Sequence, residues 1–463
     1  MDRLADLGAR VRAAVVGGGW AGLAAAVELA RAGFSVTLFE AARQLGGRAR
    51  SVELPGQRLD NGQHILLGAY RETLRLMRAV GADPERLLRR LPLELCYPAG
   101  QTPLFHLRLP RLPAPWHLLA GLLAARGPSL GEKFAAVRFL RDLQRAGYRI
   151  GDDCTVSSLL SRHRQPASLC RYLWEPLCLA ALNTRPQQAS AQIFVNTLRD
   201  SLGSGRAATD LLLPTADLDR VFPAKAADFL RFHGGDIRLR SRVQAIGQGP
   251  SVDGERFDFV VVAVAPQHAA ALLAPREETL AIAQTLAEYR FEPIATAYCG
   301  YPPELRLPLP MLGLAVGGHG QIGQWVFDRG LLCGTAGVLA FVLSGHGLWE
   351  ALDNEALVAT LQKELAVALG TTLPAPLWQR VIRERRATFR CRPHLRRPAA
   401  RTALAGCWLA GDYVCADYPA TLEAAVRSGV AAAREIVLSA SPAASPRASA
   451  AGANSAPRFP RRG

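Results

Sequence analysis

The chain has 463 residues, 49% of them hydrophobic and 20% charged, which is ordinary globular usage and excludes a wholly disordered or collagen-like polymer. Basic residues outnumber acidic ones by 55 − 39 = 16, and lysine occurs only at Lys133, Lys225 and Lys363. The arginines are scattered, with no long basic run, aromatic platform or recognition motif, so no nucleic-acid partner is expected. Nine cysteines at irregular spacing, without a Cys-x-x-Cys pair, indicate neither a metal site nor a disulfide framework and fit reduced thiols. No secretory leader pattern opens the chain, and no apolar run approaches the ~18 residues of a membrane span. The expectation is a cytoplasmic protein, soluble or lying on the inner face of the cytoplasmic membrane.

In chain order, residues 1–12 read as a polar lead-in. From Ala13, AAVV is a buried parallel strand, followed by a Gly-rich turn and an Ala-rich helix that Gly33 ends. SVTLFE is a second strand closing at Glu40. Residues 76–229 carry Leu/Arg-rich helical periodicity, many prolines and little strand character. Within them, LPRLPAPWHLLAGLLAARG sets Trp116, Leu118, Leu119, Leu122 and Leu123 between Arg111 and Arg126. That pattern suits either shallow insertion into a membrane surface or an ordinary buried helix. IRLRSRVQAI and FDFVVVAVA read as strands, the second so continuously apolar that both its faces should be covered. Residues 276–394 are mixed. TALAGCWLAGDY is a strand running into a loop, and TLEAAVRSGVAAAREIV is a helix. The Ala/Ser/Pro/Arg-rich tail from Ser439 has too few large apolar groups to fold.

Gly17-x-Gly19-x-x-Gly22 follows a strand and opens a helix, where each glycine has a physical use. The first permits a tight turn, the second lets a pyrophosphate approach the backbone, and the third lets helix and strand pack closely. The helix N-terminus offers N–H groups and positive dipole to the phosphates. Glu40, at the end of the second strand, can accept hydrogen bonds from a ribose diol. Gly46-Gly47-Arg48 then places two residues without Cβ beside a cation, which suits a close anionic contact. Gly411 and Asp412 lie just past the late strand and before a helix kept slim by Ala424, Ala425, Ser428 and Gly429. The nucleotide-binding elements fall at 13–75, 230–275 and 395–438. A mainly helical block at 76–229 and a second block at 276–394 interrupt them, and a disordered tail follows at 439–463.

These motifs resemble those of the FAD-dependent amine oxidase and phytoene desaturase superfamily. The resemblance implies an α/β fold, a discontinuous Rossmann-type FAD-binding domain with an inserted α+β substrate-binding domain. It also implies noncovalent FAD held by Gly17, Gly19, Trp20, Ala21, Gly22, Glu40, Gly46, Gly47, Arg48, Gln63, His64, Val243, Gly411, Asp412, Thr421 and Leu422. Neither Cys391 nor Cys407 has the Gly-Gly-Cys context of a covalent flavin link.

Asp60-Asn61-Gly62-Gln63-His64, with LGGRARS before it and GD…YPATLEAAVRSG near the end, is similar to the squalene-associated flavoproteins, the hydroxysqualene dehydroxylases of bacterial hopanoid biosynthesis. That likeness implies reductive dehydroxylation of hydroxysqualene to squalene by reduced FAD, served by an unidentified electron donor. His64 is the candidate proton donor to the leaving oxygen and Asp60 its candidate orienting partner. Both could instead brace their loop, with tyrosines or water assisting ionisation. Tyr413 and Tyr418 stand where that family tends to have tryptophans. No lysine has the context of an amine oxidase base. The alternatives are an oxidative carotenoid-type polyene desaturase and a non-catalytic lipid- or flavin-binding partner.

Overall fold

The computed structural model describes residues 10–54, 56–314 and 321–440. Residues 1–9 of the expected lead-in at 1–12 and the tail beyond 440 lie outside those residues, and Arg12 already opens the first strand. Ser439 and Ala440 belong to the last helix, Leu422–Ala440, so the structured chain runs slightly past the expected start of the tail.

Five short parallel strands build the first sheet, in the order Asp236–Arg238, Ser35–Phe39, Arg12–Val16, Phe259–Val262 and Cys407–Leu409. Val15 lies opposite Leu38 on one side and Val261 on the other, so the most apolar strands occupy the centre. Ala13, Val15, Val260 and Val261 are fully buried, as strands covered on both faces must be. Helix Trp20–Arg31 packs against Leu422–Ala440 so closely that a Cβ on Gly429 would sit 2.1 Å from the Ala21 carbonyl oxygen. The small-residue pattern of the last helix is thus a packing device at Gly429.

Two strands are shorter than their sequences suggest. IRLRSRVQAI contributes only Ile237 and Arg238 to strand Asp236–Arg238 and then leaves the sheet, with Arg240 at φ +54°, a conformation no strand accommodates. FDFVVVAVA is strand over Phe259–Val262, because Pro266 soon opens helix Pro266–Leu273.

The block at 76–229 is less purely helical than its periodicity implied. It holds strands Leu88–Leu91, Glu94–Tyr97, Phe105–Arg108 and Leu211–Pro214. Runs of four residues are too short to distinguish the two periods, and pairing decides them. Leu211–Pro214, buried throughout, pairs antiparallel with both Leu88–Leu91 and Leu66–Leu67.

The second large sheet is antiparallel, in the order Met311–Gly313, Trp325–Asp328, Val338–Ser344, Phe291–Gly300 and Trp378–Phe389. Among the described residues no helix is long and apolar enough to cross a membrane.

Candidate active site

The first strand ends at Val16 and the chain turns at Gly17. Its φ of +111°, and the 2.5 Å between a would-be Cβ and the Ala263 carbonyl oxygen, both exclude a side chain. A Cβ on Gly22, in the first turn of the helix, would come within 1.9 Å of the Gly17 carbonyl oxygen. Gly22 therefore serves helix–strand contact. It does not line the cavity described below, which corrects its place among the cofactor-contacting residues.

Gly19 is different. A Cβ there would meet nothing nearer than Gly47 Cα at 3.9 Å, so chain packing alone does not demand glycine, and the bare backbone faces the cavity. The Gly46 amide donates to the Gly18 carbonyl at 2.9 Å, which sets the two glycine turns side by side. The Trp20 indole N–H braces that junction by donating to the Ala49 carbonyl at 3.1 Å. The Glu40 carboxylate accepts the Gly18 and Ala42 amides, each at 2.7 Å, and keeps lone pairs for a diol.

Arg48 joins this region to sequence 364 positions away. Its Nη2 donates to Asp412 Oδ2 at 2.7 Å, and its Nη1 donates to the Ala387 carbonyl at 2.8 Å. Asp412 is buried, yet its Oδ1 has no hydrogen-bond partner among the described residues. Leaving such an acceptor unsatisfied costs on the order of 1–3 kcal/mol. The wall therefore holds an acceptor matched to an external hydroxyl donor. The Gly411 amide donates to Ser428 Oγ at 2.8 Å and pins this loop to the last helix. Thr421 Oγ1 accepts the Ala424 amide at 3.1 Å and caps that helix, whose first residue, Leu422, faces the cavity. A Cβ-free cradle, a fixed carboxylate and an orphaned acceptor together fit a dinucleotide carrying a polyol chain.

One cavity of about 840 Å³ is lined by every predicted cofactor residue except Gly22, with Val243, Thr421 and Ala21 among them. Away from the glycines its wall is mainly apolar, with polar side chains such as Asn183, Thr197, Thr209 and Glu384 set into it. Sheet register explains part of this: Trp325 pairs with Val342 and Phe327 with Met311, and all four line the cavity. Leu95, Leu177 and Phe194 add walls from the other inserted block. Sequence reading missed these residues because they carry no motif and meet only through the fold.

His64 lines the cavity, and its Nδ1 lies 2.9 Å from the Gly62 carbonyl oxygen. That oxygen requires a proton on Nδ1, and burial pushes the imidazole pKa down, so Nε2 is a bare acceptor. In this state His64 receives a hydrogen bond; the expected proton-donor role needs a charge that burial opposes. Asp60 does not orient it. Its Oδ1 accepts from Ser51 Oγ and from the Leu218 amide, each at 2.9 Å, so this carboxyl braces the loop. Gln63 Oε1 accepts from Arg329 Nη1 at 3.0 Å. Arg329 is buried beside this loop, and nothing in its local sequence marks it.

Tyr413 and Tyr418 are buried in the cavity wall, and neither hydroxyl has a partner among the described residues. Burial raises both pKa values, which keeps the phenols protonated and able to donate. Cys391 and Cys407 are buried outside the wall, with thiols pushed up to about 11 by desolvation. Neither is placed to bond a group in the cavity.

A glycine-lined dinucleotide cradle opening into an apolar chamber defines a flavin-dependent oxidoreductase. The chain belongs to the flavin-containing amine oxidoreductase family, matched over residues 20–437, and its cofactor is FAD. It is 30% identical to the hydroxysqualene dehydroxylase of Rhodopseudomonas palustris over 447 residues, covering 92% of this chain and 98% of that protein. Against the zeta-carotene desaturase of Synechocystis the identity is 24%, with 92% and 97% covered. Among solved structures, cyclohexylamine oxidase from Brevibacterium oxydans superimposes with a TM-score of 0.66 at 18% identity, covering 93% of this chain and 99% of that one. These findings bear out the family and fold expected from the motifs.

Proposed function

We propose that this enzyme reductively dehydroxylates hydroxysqualene to squalene. The observation that carries this reading is the single cavity in which the FAD cradle continues into an apolar chamber suited to a long isoprenoid. The higher identity to a hydroxysqualene dehydroxylase than to a carotene desaturase, at equal coverage of this chain, favours it over oxidative desaturation.

Reduced FAD supplies hydride when bound. In the overall reaction an allylic C–O bond breaks, a C–H bond forms, and the oxygen takes one proton and leaves as water. Arg48 and Asp412 would hold the diphosphate and polyol region of FAD, and Glu40 would hold a ribose. The aliphatic and aromatic part of the wall, with Leu95, Leu177, Phe194 and Phe327, lowers the local polarity, which strengthens each hydrogen bond made to the leaving oxygen. Tyr413 and Tyr418 present O–H donors there. His64 Nε2 can accept the substrate hydroxyl proton in a ground-state hydrogen bond and so orient the alcohol. The electron donor that restores reduced FAD is a separate partner.

The test is an anaerobic incubation of photoreduced protein with hydroxysqualene, read by mass. Squalene formed in proportion to flavin reoxidised is the expected result. Conversion of phytoene in the presence of an electron acceptor, without squalene from hydroxysqualene, would transfer the assignment to the desaturase reading. No turnover of either would leave a flavin-binding partner.

A further inference from the structure

Thirteen large apolar side chains are exposed among the described residues, and six of them fall between residues 104 and 134: Leu104, Leu112, Trp116, Leu123, Leu130 and Phe134. Such clustering on a protein with an otherwise well-buried core marks an interaction surface. Two helices supply four of the six, while Leu104 and Leu112 lie outside both of them. In Trp116–Ala124, residues 116 and 123 are two turns apart on one face, while His117, Gly121 and Leu122 turn inward. In Leu130–Arg145, Leu130 and Phe134 are one turn apart, 67% and 62% exposed. Lys133 Nζ donates to the Leu123 carbonyl at 2.8 Å, which brings the end of one helix against the start of the other.

Charge selects the occupant. The same stretch, 104–134, carries Arg108, Arg111, Arg126 and Lys133 against the single acid Glu132. Glu132 is itself engaged, accepting the Ser129 amide and the Ser168 hydroxyl. Exposed Trp, Leu and Phe in a stretch with an excess of cations match an anionic lipid interface, where apolar groups enter the acyl boundary and cations meet phosphate.

The surface also backs the cavity. Strand Phe105–Arg108 packs beneath the first helix and pairs with Glu94–Tyr97, whose Leu95 lines the cavity. His117 lies beside Arg206 and Asp210, in the segment that supplies Thr209 and Leu211 to the same wall.

We propose that the paired helices Trp116–Ala124 and Leu130–Arg145 dock this enzyme on an anionic lipid bilayer, beside the wall of the chamber that receives its isoprenoid. The docking surface stands on exposure and charge; only the delivery of substrate rests on the dehydroxylase reading.

The test uses full-length holoenzyme and vesicles of phosphatidylcholine with or without phosphatidylglycerol. Sedimentation with the anionic vesicles is expected, falling at least about tenfold in the W116E/F134E variant. Phe232, 87% exposed elsewhere on the chain, provides the control F232E, which should bind as wild type does. Trp116 is the one exposed tryptophan of seven, so bromine-labelled acyl chains should quench wild-type fluorescence and spare W116F. Turnover of detergent-dispersed hydroxysqualene should be unchanged in W116E/F134E, which separates failure of docking from failure of the catalytic assignment. Equal sedimentation of wild type and W116E/F134E, or absent quenching, overturns the proposal. So does a solution dimer that W116E/F134E dissociates, since the patch would then be a self-interface.

Discussion

Two glycines three positions apart should fail in different ways when given a methyl group. In Gly22→Ala the new carbon lies 1.9 Å from the Gly17 carbonyl oxygen, between a central strand and its helix, where neither backbone can move freely. Overpacking of that kind costs on the order of 1–3 kcal/mol, with more for a backbone clash. In Gly19→Ala the carbon enters open space, with Gly47 Cα 3.9 Å away. Gly19 has φ −75° and ψ 179°, which alanine adopts without strain. Losing glycine flexibility in the unfolded chain stabilises by about 0.4–1 kcal/mol, while alanine at an N-cap gives back about as much. Net stability should therefore stay near wild type. The methyl group instead occupies the approach to the cradle, and FAD affinity should fall about 10–100-fold, the equivalent of about 1.4–2.8 kcal/mol. Thermal unfolding of the apoproteins and FAD titration by flavin fluorescence measure the two effects separately. Unchanged FAD affinity in Gly19→Ala, or an unchanged Tm in Gly22→Ala, would refute the division of labour.

Further expectations concern the loop, the phenols and the cofactor linkage. Burial raises the Asp60 pKa above 3.8, so its contribution to stability is full below that pH and is lost as pH rises through the folded value. Asp60→Asn keeps both accepted hydrogen bonds, and its Tm at neutral pH should equal or exceed wild type; a large drop would contradict the bracing role. His64 shifts the other way, so its contribution is present above 6.5 and is lost as pH falls below it. His64→Gln should accordingly flatten the acid side of a stability–pH profile. Tyr413→Phe and Tyr418→Phe remove hydroxyls that lack partners, so Tm should hold. Combined, they should lower single-turnover dehydroxylation by at least about 100-fold; a rate equal to wild type would exclude the phenols as donors to the leaving oxygen. Acid precipitation should release all flavin to the supernatant, since neither Cys391 nor Cys407 lines the cavity; flavin retained in the pellet would show a covalent link.

The turn at Gly17 and the close packing at Gly22 were legible because they depend on a turn and the first turn of a helix, whose geometry a dozen residues determine. The same is true of Glu40 at the end of its strand and of Thr421 at the head of the last helix. For Asp60 the sequence left two roles open, orienting His64 or bracing the loop, and the fold decided for bracing. Its hydrogen-bond partners, Ser51 and Leu218, lie on a neighbouring strand and in a distant segment, while His64 interacts with it only through charge.

What the sequence determined by itself was the cofactor, through backbone shapes that are local. What only the tertiary structure decided was the chamber, the Arg48–Asp412 pair and the exposed apolar face. Each joins residues from separate stretches or depends on which side of a helix remains uncovered. Side-chain burial and ion pairing are properties of neighbours in space, and for Arg48 that neighbour stands 364 positions down the chain.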